Sequence, residues 1–182
     1  MIRIVYIPGL GDRFDPLRRI ALARWKRAGT RISFVPMHWN DQRETYEDKY
    51  ERIAKIIENF PEDEIVLVGE SAGGAMALLA FSRNLTRVNR VVTICGYNHG
   101  AAQVHPYHKR KHPAFYRLMP VVDSTVKKLT HDSRERITTI YSTRDPIVAV
   151  SHSHIDDATE EILRTSGHFA SIARILLRGP VV

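Results

Sequence analysis

The sequence predicts an α/β fold in which a mostly parallel sheet of about six strands is covered by helices on both faces. Short runs rich in Ile and Val lack a clean alternation of apolar and polar residues, which is typical of parallel strands buried on both sides. Helical patterns separate these runs. The length suits a single domain, predicted to span 1–182. The strands are predicted at 2–7, 32–35, 65–68, 91–95, 137–142 and, more weakly, 159–165.

Two amphipathic helices are predicted before the third strand. The first begins with Asp15 as its N-cap and Pro16 at the first helical position, where the fixed φ of proline is favourable. In the second, Asp41 and Glu44 have the spacing of a capping box. Apolar residues at helical spacing predict the buried stripes, which are Leu17, Ile20, Ala21, Trp25 and Ala28 in the first helix and Tyr46, Tyr50, Ile53, Ile57 and Phe60 in the second.

The third helix and the stretch after the fourth strand differ from this regular pattern. Residues 72–83 have no polar side chain before Ser82, so this helix is predicted to lie buried against the sheet. The segment 96–136 is longer than a bare crossover needs and carries a helical pattern near 121–130. We expect part of it to form a small lid-like elaboration that roofs a pocket, with no large cap domain. Its aromatic residues and Met119 suit an apolar substrate group, and they also suit packing on the sheet.

Composition limits the function classes. The net charge is +7, but the basic residues are scattered and no nucleic-acid-binding module accompanies them, so no nucleic-acid partner is expected. The densest basic cluster, 108–112, is interpreted as solvated surface or as a contact for an anionic headgroup or coenzyme A.

The compartment is predicted from apolar runs and from cysteine usage. No apolar run approaches the ~20 residues of a membrane span, and the N-terminus lacks the layout of a signal peptide. The only cysteine is Cys95, so no disulfide within the chain is possible, which suits a reducing compartment. We expect a cytoplasmic protein without a transmembrane segment.

The pentad Gly69-Glu70-Ser71-Ala72-Gly73 lies between an apolar strand and an apolar helix. This is the setting of a nucleophile elbow, in which a sharp turn presents a serine above the sheet. Glycines two residues on either side of the serine relieve crowding in such a turn. The simpler interpretation is a structural serine in a tight turn, and Glu70 is assigned no chemistry.

Two further residues follow strands at the same edge of the predicted sheet. Asp145 comes after the fifth strand and His168 after the sixth, and ligands of parallel sheets bind outside the carboxyl ends of the strands. A serine needs a base, and the base needs an orienting group. We therefore predict that Ser71, His168 and Asp145 form a catalytic set. His152 and His154 follow Asp145 too closely for a strand to intervene, so His168 is the better base.

Other site chemistries fit less well. Gly9-Leu10-Gly11 follows the first strand, but Phe14 stands where a dinucleotide-binding fingerprint needs its third glycine. Four histidines between residues 99 and 112 lack a carboxylate or cysteine that would complete a metal-ligand set. No metal and no cofactor are expected.

With these motifs the chain resembles an α/β-hydrolase-fold serine hydrolase, a small esterase-like or lipase-like member, from about Ile2 to Arg178. The resemblance implies that Ser71 is the nucleophile, that Asp145 is the acid and that Gly167-His168 is the histidine turn. It also implies that the first and third strands lie side by side at the centre of the sheet. Pro8-Gly9-Leu10-Gly11 resembles the loop that supplies an oxyanion donor, so the implied oxyanion hole is the backbone N–H groups of Leu10 and Ala72. The usual antiparallel opening strands and the HGGG loop of one esterase branch are missing, which leaves the subfamily open.

The sequence therefore predicts a serine hydrolase that cleaves small-molecule carboxylic esters or thioesters through an acyl-enzyme. Two alternatives stay open. One is a peptidase or C–C hydrolase of the same fold, and the other is a non-catalytic binding or interaction protein on the same scaffold.

Overall fold

A computed structural model of the chain describes residues 1–179, so residues 180–182 of the predicted domain lie outside the described part. Six strands form one sheet in the order β2-β1-β3-β4-β5-β6, and every pairing is parallel. The predicted α/β fold with a parallel six-stranded sheet is confirmed. The strands are β1 (Ile2–Ile7), β2 (Thr30–Phe34), β3 (Glu64–Glu70), β4 (Val88–Ile94), β5 (Ile137–Arg144) and β6 (Thr159–Ser166).

The strands β1 and β3 are neighbours, as predicted, although the central pair of the sheet is β3 and β4. Helices cover both faces. The helices are α1 (Asp15–Ala23), α2 (Tyr46–Asn59), α3 (Ala72–Arg83), α4 (Tyr107–Lys111), α5 (Pro113–Lys128), α6 (His131–Arg134), α7 (Val150–Ser153) and α8 (His168–Arg178), with single 3-10 turns at Asp12–Phe14 and Ala101–Gln103.

Alternate residues of the strands face two separate cores, as the pleat of a sheet requires. Val5, Ile65 and Leu67 face a core shared with α2, α3 and α5. Ile4 and Val66 face a smaller core that includes Trp25 and the inner side of α8. The helix α3 is buried from Ala72 to Phe81, which confirms the prediction for the all-apolar helix.

The predicted N-terminal region of α1 is wrong in two respects. Asp15 is the first helical residue, preceded by a 3-10 turn, and its carboxylate accepts a hydrogen bond from Arg18 Nη1 at 2.9 Å. Leu17 and Ile20 are 65% and 68% exposed, while Arg18 and Leu22 face the protein. The inner face of α1 therefore carries a charged residue at a position that the apolar stripe assigned to the outside.

The second helix also begins later than predicted. Its capping box consists of Thr45 and Asp48, because Glu44 is engaged in ion pairs with Lys49 and Arg52. Ile53 and Ile57 of the predicted stripe are buried.

The segment 96–136 is built around α5, which begins at Pro113 rather than near 121. Phe115, Leu118 and Met119 are buried in the core that contains α3, so Phe115 and Met119 pack as core residues. No helix in residues 1–179 combines the length and the hydropathy needed to cross a bilayer.

Candidate active site

A single residue, Ser71, separates the end of β3 from the start of α3, and its backbone is in an unusual conformation. Its φ and ψ are 50° and −120°, a region that costs an L-residue on the order of 1–3 kcal/mol unless its surroundings impose it. The surroundings do so: the Ser71 N–H donates to the Ile94 carbonyl at 2.9 Å, and the Tyr97 N–H donates to the Ser71 carbonyl at 3.0 Å. These bonds anchor the turn on the end of β4.

The glycines of the pentad are required by close backbone contacts. A Cβ at Gly69 would lie 2.4 Å from the Gly73 carbonyl oxygen, and one at Gly73 would lie 2.1 Å from the Ile7 carbonyl oxygen. Both distances are far shorter than any real Cβ contact, so the elbow closes only with glycine at these positions. The turn thus presents the Ser71 side chain at the carboxyl edge of the sheet.

The structure brings Ser71, His168 and Asp145 into one hydrogen-bonded chain at that edge. His168 Nε2 lies 3.0 Å from Ser71 Oγ, and His168 Nδ1 lies 2.7 Å from Asp145 Oδ2. The carboxylate only accepts, so Nδ1 carries the proton it donates, and Nε2 is left to accept from the serine hydroxyl. The histidine and aspartate side chains are 3% and 2% exposed, which keeps water from competing for these bonds.

The turn after β5 holds Asp145 in its ionised form. The N–H groups of Ile147 and Val148 donate to its Oδ1 at 2.8 and 3.0 Å. Burial alone would raise the pKa of Asp145, but the hydrogen bond from His168 and the two backbone N–H groups outweigh it and hold that pKa below its ordinary value. A carboxylate of this kind can orient a histidine and stabilise its protonated form.

The two predicted oxyanion donors lie beside the serine. Ala72 is the first residue of the twelve-residue helix α3, whose N-terminus carries partial positive charge. A Cβ at Gly9 would lie 2.8 Å from Ser71 Cβ, so the loop 8–11 packs directly against the nucleophile turn. Neither the Leu10 N–H nor the Ala72 N–H donates a hydrogen bond to another group in the described chain. Both are therefore free to bind an anionic oxygen.

Cys95 is a neighbour of this site that the sequence patterns did not reveal. Its Sγ lies within 4.8 Å of the ligand atoms of Asp145 and His168. Burial, followed by the negative charge of Asp145, raises the pKa of the thiol to about 12. Metal ions bind the thiolate form of cysteine, so these three residues are better suited to hydrogen bonding than to holding a metal.

The two histidines that follow Asp145 most closely have partners elsewhere. His152 stacks on Tyr97 with ring centroids 5.0 Å apart, and His154 bonds to Asp156 and Glu160. Neither ring takes part in the Ser71–His168–Asp145 chain.

A buried ion pair beneath the elbow was also missed. Glu70, next to Ser71, accepts a hydrogen bond from Arg18 Nε at 2.8 Å, and both residues are buried. The spacing of Arg18, Leu22 and Trp25 on one helical face was the available signal, because it places a charge in line with two buried residues.

Most of the chain is similar to a known family. A family model described as serine aminopeptidase, S33, matches residues 33–165, which include Ser71 and Asp145 but end before His168. No curated protein matches the chain by sequence.

Several solved structures share the fold. They include a meta-cleavage product hydrolase from Pseudomonas fluorescens IP01 (14% identity, TM-score 0.60, 96% of this chain and 86% of that chain). A monoacylglycerol lipase from Paleococcus ferrophilus is 15% identical (TM-score 0.60, 98% and 88%). A metagenomic carboxyl esterase is 17% identical (TM-score 0.71, 93% and 65%). At these identities the similarity is one of fold.

Proposed function

Since the chain belongs to the α/β-hydrolase family described as serine aminopeptidase, S33, and is thus a hydrolase by family, we propose that it is a serine hydrolase of carboxylic esters or thioesters. The observation that carries this proposal is the chain of hydrogen bonds from Ser71 Oγ through His168 to Asp145 at the carboxyl edge of the sheet. A serine in a strained elbow, a histidine and an ionised carboxylate are the groups that acyl transfer through an acyl-enzyme requires.

In the proposed reaction Ser71 Oγ attacks the acyl carbonyl while His168 Nε2 takes its proton. The carbonyl π electrons move onto oxygen, and the Leu10 and Ala72 N–H groups bind the resulting oxyanion, each contributing about 10²–10³ in rate. When the oxyanion collapses, the bond to the leaving alkoxide or thiolate breaks, and His168 returns its proton to that group. Water then repeats the sequence on the acyl-enzyme and releases the acid.

An apolar groove beside His168 supports an apolar substrate. The groove has a volume of 460 Å³ and lies between α1 and α8, where its lining includes Phe14, Leu17, Phe169 and Leu177. Phe169 follows His168 directly, with ring centroids 5.5 Å apart. Because Phe169 both lines the groove and contacts the His168 ring, an apolar acyl or alcohol group of an ester has a surface to cover near the histidine.

The whole chain is proposed to act as one hydrolase domain, with the segment 96–136 as its small lid-like part. A small molecule is the proposed substrate, with no nucleic-acid partner. A cytoplasmic location is proposed as well, to which the single buried cysteine is suited.

A peptidase is the second candidate, favoured by the description of the family itself. An aminopeptidase needs a carboxylate to bind the α-ammonium group of its substrate. At this edge Glu70 and Asp145 are already engaged by Arg18 and His168. Of the carboxylates that follow β1, Asp15 is paired with Arg18 and Asp12 accepts from two backbone N–H groups. Ester cleavage is therefore the preferred proposal, and rates on matched p-nitrophenyl esters and aminoacyl p-nitroanilides discriminate between the two.

The primary test is labelling by a fluorophosphonate probe, followed by intact-mass analysis. We expect one adduct on the wild-type protein and none on Ser71→Ala or His168→Ala, because only an activated serine reacts. Ser151→Ala, which changes an exposed serine, is the matched control and should label like the wild type. An unlabelled but folded wild-type protein would favour a non-catalytic binding protein on this fold.

A further inference from the structure

The buried ion pair beneath Ser71 connects the two sides of the proposed oxyanion hole. On one side is Glu70, the residue before the nucleophile, whose side chain is 2% exposed. Its Oε1 accepts hydrogen bonds from Arg18 Nε and Nη2, and its Oε2 accepts one from the Tyr6 hydroxyl. Burial, together with the charge of Glu70, raises the pKa of Tyr6 well above its ordinary value, so the phenol stays a donor.

On the other side the same guanidinium binds the loop 8–11. Arg18 Nη1 donates to the Gly11 carbonyl at 2.9 Å, and Nη2 donates to the Leu10 carbonyl at 3.4 Å. Nη1 also donates to Asp15 at 2.9 Å. Together with the two bonds to Glu70, all five N–H donors of the guanidinium are used, in the fixed planar geometry that distinguishes arginine from lysine.

These contacts hold the backbone on both sides of the Leu10 N–H. The carbonyls of Leu10 and Gly11, on its C-terminal side, are held by Arg18. On its N-terminal side Gly9 packs against Ser71 with no room for a Cβ. The peptide that carries the Leu10 N–H therefore has its orientation set at both ends, and one of those ends is tied through Arg18 to the residue that precedes the nucleophile.

We propose that Arg18 and Glu70 are positioning residues of the oxyanion hole, which fix the Leu10 N–H relative to Ser71 and the Ala72 N–H. The inference rests on the proposed function. It accounts for the charged side chain at an inward position of α1. Buried ion pairs often stabilise a fold no more than apolar residues of similar volume do, so stability alone does not explain the pair. The pair, whose members are 52 residues apart in the sequence, instead supplies a defined geometry between the loop 8–11 and the end of β3.

The test is the double variant Arg18→Met/Glu70→Gln, which keeps the side-chain volumes and removes both charges of the buried pair. Asp15, which also loses its Arg18 partner, has a side chain that is 16% exposed and in reach of water. Arg18→Lys is the conservative variant because it keeps the positive charge. Its single ammonium group cannot contact the Glu70 carboxylate and the carbonyls of Leu10 and Gly11 at the same time. Arg19→Gln is the matched control, because Arg19 is the next residue of α1, is exposed, and has its guanidinium over the ring of Phe34 instead. Thermal melts establish that each protein is folded.

Two measurements separate positioning from general support. The first is the hydrolysis of a p-nitrophenyl ester, resolved into kcat and KM. The second is the affinity for a trifluoromethyl ketone, which binds by adding Ser71 Oγ to its carbonyl carbon, with the serine proton passing to His168 and the negative charge forming on the ketone oxygen. Oxyanion contacts form only in the transition state and in this adduct, so their loss lowers kcat and ketone affinity while KM is unaffected.

We expect kcat and ketone affinity to fall together by about 10- to 100-fold in the double variant, as for a donor displaced by a fraction of an ångström, with KM within about threefold of wild type. Arg18→Lys should lie between the double variant and the wild type, and Arg19→Gln should match the wild type. A folded double variant with unchanged kcat and ketone affinity would overturn the proposal, and so would a change confined to KM. Wild-type protein that neither labels with the fluorophosphonate nor binds the ketone would overturn the proposed function itself, which distinguishes the two failures.

Discussion

The two halves of the candidate site are held in place by different forces. The elbow, residues 69–73, is fixed by backbone packing so close that Gly73 touches the end of β1. The acid–histidine half is fixed by hydrogen bonds between two loops: Asp145 follows β5, His168 opens α8, and they meet at 2.7 Å. A steric constraint resists any added atom, whereas a polar one depends on the identity and ionisation of two groups. Substitutions should therefore affect the first half through stability and the second through chemistry.

The largest expected effect is on the chemistry of the second half. Asp145→Asn should lower kcat for ester hydrolysis by about 10⁴, because an amide in place of the carboxylate can hold His168 in the wrong tautomer. Steady-state kinetics on a p-nitrophenyl ester measures this loss, and a thermal melt shows that the fold persists. Asp156→Asn, which changes an exposed carboxylate, should keep wild-type activity. A loss smaller than tenfold in Asp145→Asn would show that another group orients the histidine.

The next largest effect tests the packing of the elbow. In Gly73→Ala the new Cβ would lie 2.1 Å from the Ile7 carbonyl oxygen, so α3 and β1 must separate. We expect a loss of about 3 kcal/mol in the free energy of unfolding, which lowers Tm by about 6–12 °C in a chain of this length.

Gly29→Ala is the matched control for that change. Gly29 has φ +80, but no atom lies within 4 Å of the position that a Cβ would take there, so only the backbone penalty of about 1 kcal/mol applies. Equal Tm shifts in the two variants would contradict the view that close packing, rather than backbone angle, fixes the elbow.

The difference between the halves also explains what could be predicted from the sequence. The elbow is local: an apolar strand, a glycine-flanked serine and an apolar helix are consecutive, and α3 begins and ends where its composition predicted. Asp145 and His168 are distant in sequence, but each follows a strand, and the carboxyl ends of parallel strands share one edge. The parallel topology alone therefore predicts that Asp145 and His168 lie close together.

Contacts that depend on tertiary packing could not be predicted in this way. The apolar stripe of α1 placed Leu17 and Ile20 inside, but the inner position belongs to Arg18, whose partner Glu70 is 52 residues away. Periodicity assumes that buried residues are apolar, so a charge satisfied by five hydrogen bonds contradicts that assumption. Cys95 beside Asp145 is a second case, since its position at the end of β4 matters only once β5 lies next to it.

The smallest expected effect separates the two halves by their response to pH. The pKa of Asp145 is lower in the folded protein than its ordinary value of 3.8, so its ionised form stabilises the fold. That contribution is fully present above pH 3.8 and is lost as the pH falls through the folded pKa below it. The difference in unfolding free energy between the wild type and Asp145→Asn should therefore shrink as the pH falls below 3.8. The difference between the wild type and Gly73→Ala should stay flat over the same range, because no titrating group is involved.

Urea unfolding at a series of pH values measures both differences. The other carboxylates are present in all three proteins, so their titration cancels when the free energies of unfolding are subtracted. A wild-type to Asp145→Asn difference that did not change in acid would mean that Asp145, like the elbow, is held by packing rather than by its charge.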